Sequence, residues 1–274
     1  MINPSLSRMI IVLCSLVAVG SVLFLTSGAQ AGPVAVRQPE GPAYGILVLT
    51  STAGGLLAHG ESIQTVRGHH VDSRLVFRFK DGSLFDERVL FSQEKVFSLT
   101  SYRLVQRGPA FPSSADVAFQ RGPGQYRARI REKPDGDEEV VEGRQELPAD
   151  MYNGMSSVLL KNLRAGETAT GHLLAFTPKP RLLKMQFLPE GQDDFFVGPT
   201  SRKATRFLVK LELGGMLGVL ASVVGKEPPD LRYWIARGPV PAFTKFEGPF
   251  FLNGPIWRIE LTGARWPDDR RRGR

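Results

Sequence analysis

The sequence predicts a mainly β protein: a large antiparallel meander curled into a half-barrel or open barrel, with one covering amphipathic helix and a short apolar helix. Two observations indicate the sheet. From Tyr44 onward, short runs rich in β-branched and aromatic residues alternate apolar with polar side chains. Gly, Pro or Asp clusters interrupt these runs roughly every 8 to 12 residues, as in antiparallel sheets. The covering helix is predicted where the apolar spacing becomes helical after Pro148.

The N-terminal segment 1–31 precedes this pattern and has the three parts of an export signal. Arg8 comes before the apolar run 9–26, and Ala29-Gln30-Ala31 follows it. A retained membrane anchor is the alternative, because the run approaches the roughly 18 to 20 residues that span a bilayer. We expect cleavage near Gly32 and export to the periplasm or to the extracellular medium.

The remaining chain is predicted to have three parts: a flexible linker at 32–42, a single β-rich domain at 43–267 and a basic tail at 268–274. The single cysteine, Cys14, lies in the signal, so the exported chain is expected to form no disulfide. The formal net charge is +8. The tail is expected to attract an anionic membrane surface, and export makes a nucleic-acid partner unexpected. Its basic residues are Arg270, Arg271, Arg272 and Arg274.

The clearest hairpin starts with the segment 74–79, in which apolar and polar residues alternate. Leu75, Phe77 and Phe79 share one face of this strand, and the residues between them share the other. Lys80-Asp81-Gly82-Ser83 then turns the chain. About a dozen strands are expected. The further strands are predicted at 84–91, 96–107, 125–130, 138–144, 168–177, 181–188, 204–213, 231–236, 242–247 and 256–262.

Two helices are predicted between these strands. The first spans Pro148 to Gly166 and should cover the sheet with an apolar face. Gly154 inside it costs about 1 kcal/mol relative to Ala, so burial must compensate. The second lies in the uncharged segment 214–225, which is either a buried plug or a flap over an apolar cavity. The apolar face of the first helix consists of Met151, Met155, Val158, Leu159 and Leu163.

Catalytic, metal-binding and cofactor motifs are not found in the sequence. Adjacent His69 and His70 would point to opposite faces of a strand, which disfavours a chelating pair. Ser156 lacks the setting of a nucleophile elbow. The acidic pair Asp86-Glu87 and the other acidic clusters are interpreted as ordinary turn and surface residues. No catalytic residue, metal ligand or cofactor is predicted, although a site assembled from residues distant in sequence would escape a motif search.

The C-terminal third carries a resemblance to a known group of proteins. The strand 231–237 has a central Trp234, Gly238-Pro239-Val240-Pro241 turns the chain, and 242–247 returns. This pattern, which continues to Trp257, resembles exported lipoprotein-carrier-like proteins and related uncharacterised envelope proteins. The resemblance implies a half-barrel and lipid or lipoprotein handling, and it transfers no catalytic residue.

Two functions follow as hypotheses. The first is a non-enzymatic envelope protein that binds a lipid or acyl chain in an apolar groove between sheet and helix. The second is a structural or assembly factor that contacts another envelope protein through strand edges and the basic tail. The alternative for most of the groove residues is a closed, dry core. The groove residues are Phe77, Phe79, Met151, Met155, Leu159, Trp234, Phe243 and Trp257.

Overall fold

The computed structural model describes residues 32–262 except 134, 177–178, 198–199 and 214–229. These residues form one open sheet of fourteen antiparallel strands and one helix, which confirms the predicted fold class. The strands are β1 (Ala43–Ser51), β2 (Leu56–Arg67), β3 (His70–Phe79), β4 (Leu84–Gln93), β5 (Phe97–Arg107), β6 (Ser114–Gln120), β7 (Gln125–Arg131), β8 (Glu139–Arg144), β9 (Ala169–Phe176), β10 (Pro180–Val197), β11 (Thr200–Leu213), β12 (Leu231–Ala236), β13 (Ala242–Gly248) and β14 (Trp257–Thr262). The helix is α1 (Ser156–Asn162).

The strand order explains why the helix covers the sheet. The order is β8-β7-β6-β5-β4-β3-β2-β1-β14-β13-β12-β11-β10-β9, so the chain starts at the centre and reaches one edge at β8. It then passes to the opposite edge at β9 and returns to pair β14 with β1. The connection 145–168 therefore joins the two edges, and it carries α1.

The sheet curls until its two edges approach each other through side chains. The rings of Tyr126 on β7 and Phe176 on β9 have centroids 5.8 Å apart. Phe176 also packs against a small buried cluster on β6 and β7. No pairing between β8 and β9 is found in the part of the chain that the structure describes, so the half-barrel stays open.

Side-chain parity on β3 agrees with the prediction. Phe77 and Phe79 are buried and Leu75 is half-buried, all within one hydrophobic cluster. Arg74 and Arg78, on the opposite face, are exposed. Because alternate residues of a strand point to opposite sides, the first three define the concave face and the arginines define the convex face.

The helix is shorter than predicted and begins eight residues after Pro148, at Ser156. Gly154 has φ +68°, a left-handed conformation that cannot continue an α-helix, so it lies before α1 and not inside it. Met151 precedes it in an extended conformation and bridges His172 of β9. The apolar spacing thus arises from a short helix joined to a strand-like segment.

Both edges of the sheet have features that hinder pairing with a further strand. At β9, the Tyr152 N–H donates to the His172 carbonyl and Asn153 bonds both backbone groups of Leu174, so residues 150–153 cover this edge. At β8, the strand is short and carries charged residues, among them Glu139 and Glu142. Charged and covered edges are common protections against aggregation.

The segment assigned to a linker, 32–42, packs against the domain. Val34 is fully buried, and its N–H donates to the Tyr152 hydroxyl at 2.9 Å. Arg37 forms a two-point ion pair with Glu167 just after α1, and its N–H donates to Asn162. The predicted signal 1–31, the apolar run 214–225 and the tail arginines lie outside the described residues.

The concave face carries two hydrophobic clusters. The helix cluster joins α1 and the segment before it to the strands below, and its members include Phe91, Phe97, Met151, Tyr152, Met155, Leu159, Leu160, Phe187 and Phe207. The aromatic cluster lies on the other part of the concave face and consists of Leu47, Leu49, Ala58, Phe77, Phe79, Phe85, Phe111, Phe246, Trp257 and Ile259.

Candidate functional site

The aromatic cluster is closed by the connection between β13 and β14. Phe250, in that connection, lies 4.7 Å from Phe85, 5.0 Å from Trp257 and 5.7 Å from Phe77, measured between ring centroids. Phe251 reaches the ring of Trp257 at 6.0 Å. Tilted and edge-on contacts of this kind add to the stabilisation from burial. This region of the concave face is therefore a packed core.

The helix cluster is equally closed. Met151, Met155 and Leu159 each have 0% of their surface exposed. Three of the predicted groove residues are thus core residues that hold the connection 145–168 against the sheet. These three side chains therefore have no accessible surface that a ligand between α1 and the strands could contact.

A different set of side chains lies between the two clusters. They are partly exposed, although each packs against both clusters. Other partly exposed hydrophobic residues pack against at most one of the two clusters, so contact with both clusters distinguishes this set, which we call the inter-cluster zone. Its hydrophobic members are Leu104, Leu231, Tyr233 and Phe243.

The inter-cluster zone also contains a carboxyl group, that of Glu87. On β4, Phe85, Glu87 and Val89 occupy alternate positions, and Phe85 and Val89 are buried on the concave face. Because alternate residues of a strand share a face, Glu87 also points to the concave face. The Tyr102 hydroxyl donates to Oε1 of Glu87 at 2.8 Å. Burial raises the pKa of Glu87 above its ordinary value, and the Tyr102 hydrogen bond opposes this only in part.

Two tyrosines lie near Glu87: Tyr233 belongs to the inter-cluster zone, and Tyr102 is a buried member of the helix cluster. Burial raises the pKa of Tyr233, the nearby Glu87 raises it further, and a hydrogen bond with the Ser156 hydroxyl opposes the shift. Burial is also the main cause of the raised pKa of Tyr102. These groups therefore keep their protons at neutral pH and act as hydrogen-bond donors and acceptors.

Gly154 brings the backbone of the connection against Glu87. A Cβ at this position would lie 2.5 Å from Cγ2 of Val89 and 3.0 Å from Cδ of Glu87. Only a glycine fits, because its φ of +68° and the close approach both exclude a side chain. The turn before α1 thus forms one wall of the zone.

The predicted groove residues do not form one site. Phe77, Phe79 and Trp257 belong to the aromatic cluster, and the methionines and Leu159 belong to the helix cluster. Phe243 alone among the eight lies in the inter-cluster zone. Sequence reasoning missed Glu87 there, although its spacing from Phe85 and Val89 carried the signal.

Trp234 lies on the convex face, opposite the prediction. Its indole N–H donates to Asp193 Oδ2 at 2.6 Å, and the Lys245 ammonium lies 4.1 Å above the ring. Its neighbours Tyr233 and Ile235 point inward to the helix cluster. Arg232 lies two residues before Trp234, so the two side chains share a face of β12. The charge of Arg232 would therefore have predicted the convex placement of Trp234.

The convex face has a groove of about 600 Å³ across β2 to β5. Arg74 lies directly opposite Arg88, which lies directly opposite Arg103, so three guanidinium groups form a row across adjacent strands. Like charges at directly opposed positions are destabilising unless they are compensated. The groove is lined by Ile63, Thr65, Asp72, Arg74, Asp86, Arg88, Arg103, Val105 and Arg107.

Diagonal aspartates compensate this arginine row. Asp86 accepts two hydrogen bonds from Arg74, and Asp72 accepts two from Arg88. The guanidinium partners lower the pKa of both carboxyl groups, with the hydrogen bond as the largest cause. Arg74 and Arg88 of the row are therefore engaged in paired ionic contacts.

Other classes of site have little support. Within the described ranges, no three His, Cys, Asp or Glu side chains gather closely enough to hold a metal ion. His172 Nδ1 contacts Asp150 at 2.8 Å as an isolated pair. No helix among the same residues has the length and apolar character needed to cross a membrane.

Comparison of the chain with protein-family models, with curated proteins and with solved structures finds no match.

Proposed function

We propose that this protein is an exported, non-enzymatic envelope protein that binds an acyl chain or similar lipid on the concave face of its half-barrel, in the inter-cluster zone. The observation that carries the proposal is the partial exposure of Leu104, Leu231 and Phe243. These side chains pack against two closed clusters and still retain accessible apolar surface. Apolar surface in a concave position is the common property of lipid-binding sites.

The geometry supports a narrow ligand. The helix cluster bounds the zone on one side and the aromatic cluster on the other. A single chain that packs against Leu104 and Phe243 would gain about 0.8 kcal/mol for each CH₂ group removed from water. In this proposal the tail arginines attract the protein to anionic lipid, where such a ligand is available.

The polar groups in the zone support binding more than catalysis. Tyr102 and Tyr233 have raised pKa values, so neither forms the phenolate that a base or nucleophile would need at neutral pH. Glu87 is held by Tyr102 and shielded by the turn at Gly154. An assembly function based on strand addition is less favoured, because β9 is covered and β8 is charged.

A matched pair of variants tests the site. Leu104 and Val105 are neighbours on β5, both half-buried, with Leu104 on the concave face and Val105 in the convex groove. We expect the mature protein to bind Nile red saturably and decanoic acid to displace it. Leu104→Trp should fill the zone and abolish this signal, whereas Val105→Trp should preserve it.

Thermal unfolding of each variant controls for loss of structure. If Leu104→Trp does not fold, Phe243→Leu supplies a milder test and should weaken Nile red binding. The proposed function would be contradicted if Val105→Trp lost as much Nile red binding as Leu104→Trp, or if the unaltered protein showed no saturable binding.

A further inference from the structure

The strand ends of the curled sheet form two rims, and the chain leaves the sheet at one of them. β14 ends there at Thr262, and the residues 263–274 that include the basic tail follow. Because neighbouring strands are antiparallel, the start of β1, the β10–β11 connection and the β12–β13 connection lie on the same rim. We call it the tail rim. The opposite rim contains the β9–β10 and β13–β14 connections.

The tail rim carries the most exposed large hydrophobic side chains of the described residues. Phe196 near the end of β10 is 72% exposed, Tyr44 at the start of β1 is 63% exposed, and Val240 in the β12–β13 connection is 61% exposed. The next most exposed, Leu252, lies on the opposite rim at 57%. Single exposed apolar side chains are ordinary, but several on one part of a surface mark a contact with a partner.

Phe196 lies on a two-stranded ribbon that projects from this rim. β12 pairs with β11 only as far as Ala204, whereas β10 continues to pair with β11 through four further residues, from Asp194 to Val197. At about 3.3 Å for each residue, the ribbon extends about 13 Å past the end of β12. Asp194, two residues before Phe196, is ion-paired with Lys203 at 2.8 Å. The carboxylate beside Phe196 is therefore compensated.

The chain that continues from this rim indicates the kind of partner. Residues 263–274 contain five arginines, two aspartates and Trp266. Arginine side chains are attracted to anionic headgroups, and tryptophan is enriched at the boundary between membrane and water. Proteins that lie on a membrane combine such cations with apolar side chains that enter the acyl boundary. An anionic lipid surface therefore fits both the exposed apolar side chains and the chain beside them.

We propose that the protein docks on an anionic membrane with its tail rim, so that Phe196 and Val240 enter the interface and the tail arginines contact headgroup phosphates. Tyr44 lies at the headgroup level. The assignment rests on the proposed function in taking lipid as the partner, and it adds the orientation: the opposite rim, with Leu252, faces away from the membrane.

A fluorescent label tests this orientation. Cys14 is the single cysteine and lies in the predicted signal, so a cysteine introduced into the mature protein can be labelled alone. The environment-sensitive dye NBD, attached to Phe196→Cys or Val240→Cys, should shift to the blue and brighten with vesicles of phosphatidylglycerol and phosphatidylcholine in equal parts. Leu252→Cys is the matched control, since it is exposed on the opposite rim, and its label should not respond.

Cosedimentation with the same vesicles measures the affinity. Phe196→Ser should bind about tenfold more weakly, because one large apolar side chain no longer leaves water. Leu252→Ser should bind like the unaltered protein. Replacement of the four arginines of the tail by serine should remove the preference for these vesicles over pure phosphatidylcholine. Thermal unfolding of each variant controls for loss of structure.

The outcomes separate this orientation from the concave lipid site. Equal label responses at positions 196 and 252, or unchanged vesicle affinity of Phe196→Ser, would overturn the orientation. Phe196→Ser should still bind Nile red and release it to decanoic acid, so this result leaves the concave site intact. Vesicle docking without saturable Nile red binding would contradict the concave site alone. If vesicles do not bind and Phe196→Ser separates a dimer, the rim contacts a second copy and the membrane proposal is wrong.

Discussion

The concave and convex faces of the sheet are formed by the same strands but differ in composition: the concave face is mainly apolar and buried, and the convex face carries exposed ion pairs. On β3, the concave positions hold Phe77 and Phe79 in the aromatic cluster, and the convex positions beside them hold Arg74 and Arg78. Burial of each phenylalanine contributes about 1.5 to 3 kcal/mol, whereas an exposed ion pair contributes less than about 1 kcal/mol. The concave face therefore supplies most of the stability, and the convex face supplies solubility and strand register.

The same contrast between the two faces explains the different pKa shifts of their carboxyl groups. On the convex face, a carboxylate such as Asp72 has a guanidinium partner and a lowered pKa. On the concave face, Glu87 has a hydroxyl partner and a raised pKa. The two carboxyl groups therefore have opposite pKa shifts, because Asp72 has a cationic partner and Glu87 has only a hydroxyl.

The largest expected effect is at Gly154, on the concave side. Gly154→Ala introduces a left-handed alanine and a Cβ 2.5 Å from Val89, so we expect a loss of about 3 kcal/mol in the free energy of unfolding. Gly166→Ala is the matched control, since φ is +75° and no atom lies within 4 Å of its Cβ. The control should lose about 1 kcal/mol. Urea unfolding measures both, and equal losses would show that the contact with Val89 is not tight.

The smallest expected effect is on the convex face. Asp72→Asn removes the ion pair with Arg88 and should cost less than about 1 kcal/mol, with a smaller cost at high salt. The lowered pKa of Asp72 implies stabilisation that is present above the ordinary carboxyl pKa and is lost as the pH falls through the lowered value. The difference between the two proteins should therefore vanish in acid. A loss as large as that at Gly154 would remove the distinction between the faces.

Alternation in the sequence was sufficient to predict the sheet and the concave trio, because parity is local to each strand. Applied to every strand, the same alternation would also have placed Trp234 on the face of Arg232 and Glu87 on the face of Phe85. The length of α1 was not predictable from spacing alone, since the left-handed Gly154 depends on contacts with Val89 and Glu87 of β4.

The separation of the concave face into two clusters depends on long-range topology. Phe250 closes the aromatic cluster only because β14 pairs with β1, which brings the β13–β14 connection over the cluster. The connection 145–168 reaches the concave face only because it joins the two sheet edges. Neither fact can be read from a local window of sequence. For this reason the predicted groove residues were drawn from both clusters.

Methyl-resolved NMR during a titration with methyl decanoate tests the central claim most directly, because it reports which face the ligand contacts. Leu104 and Leu231 have methyl groups in the inter-cluster zone, and Ile63 and Val105 have methyl groups in the convex groove. We predict that the resonances of Leu104 and Leu231 shift with a saturable profile and that those of Ile63 and Val105 do not. Shifts confined to the convex methyl groups, or no saturable shift at any of the four residues, would contradict the account.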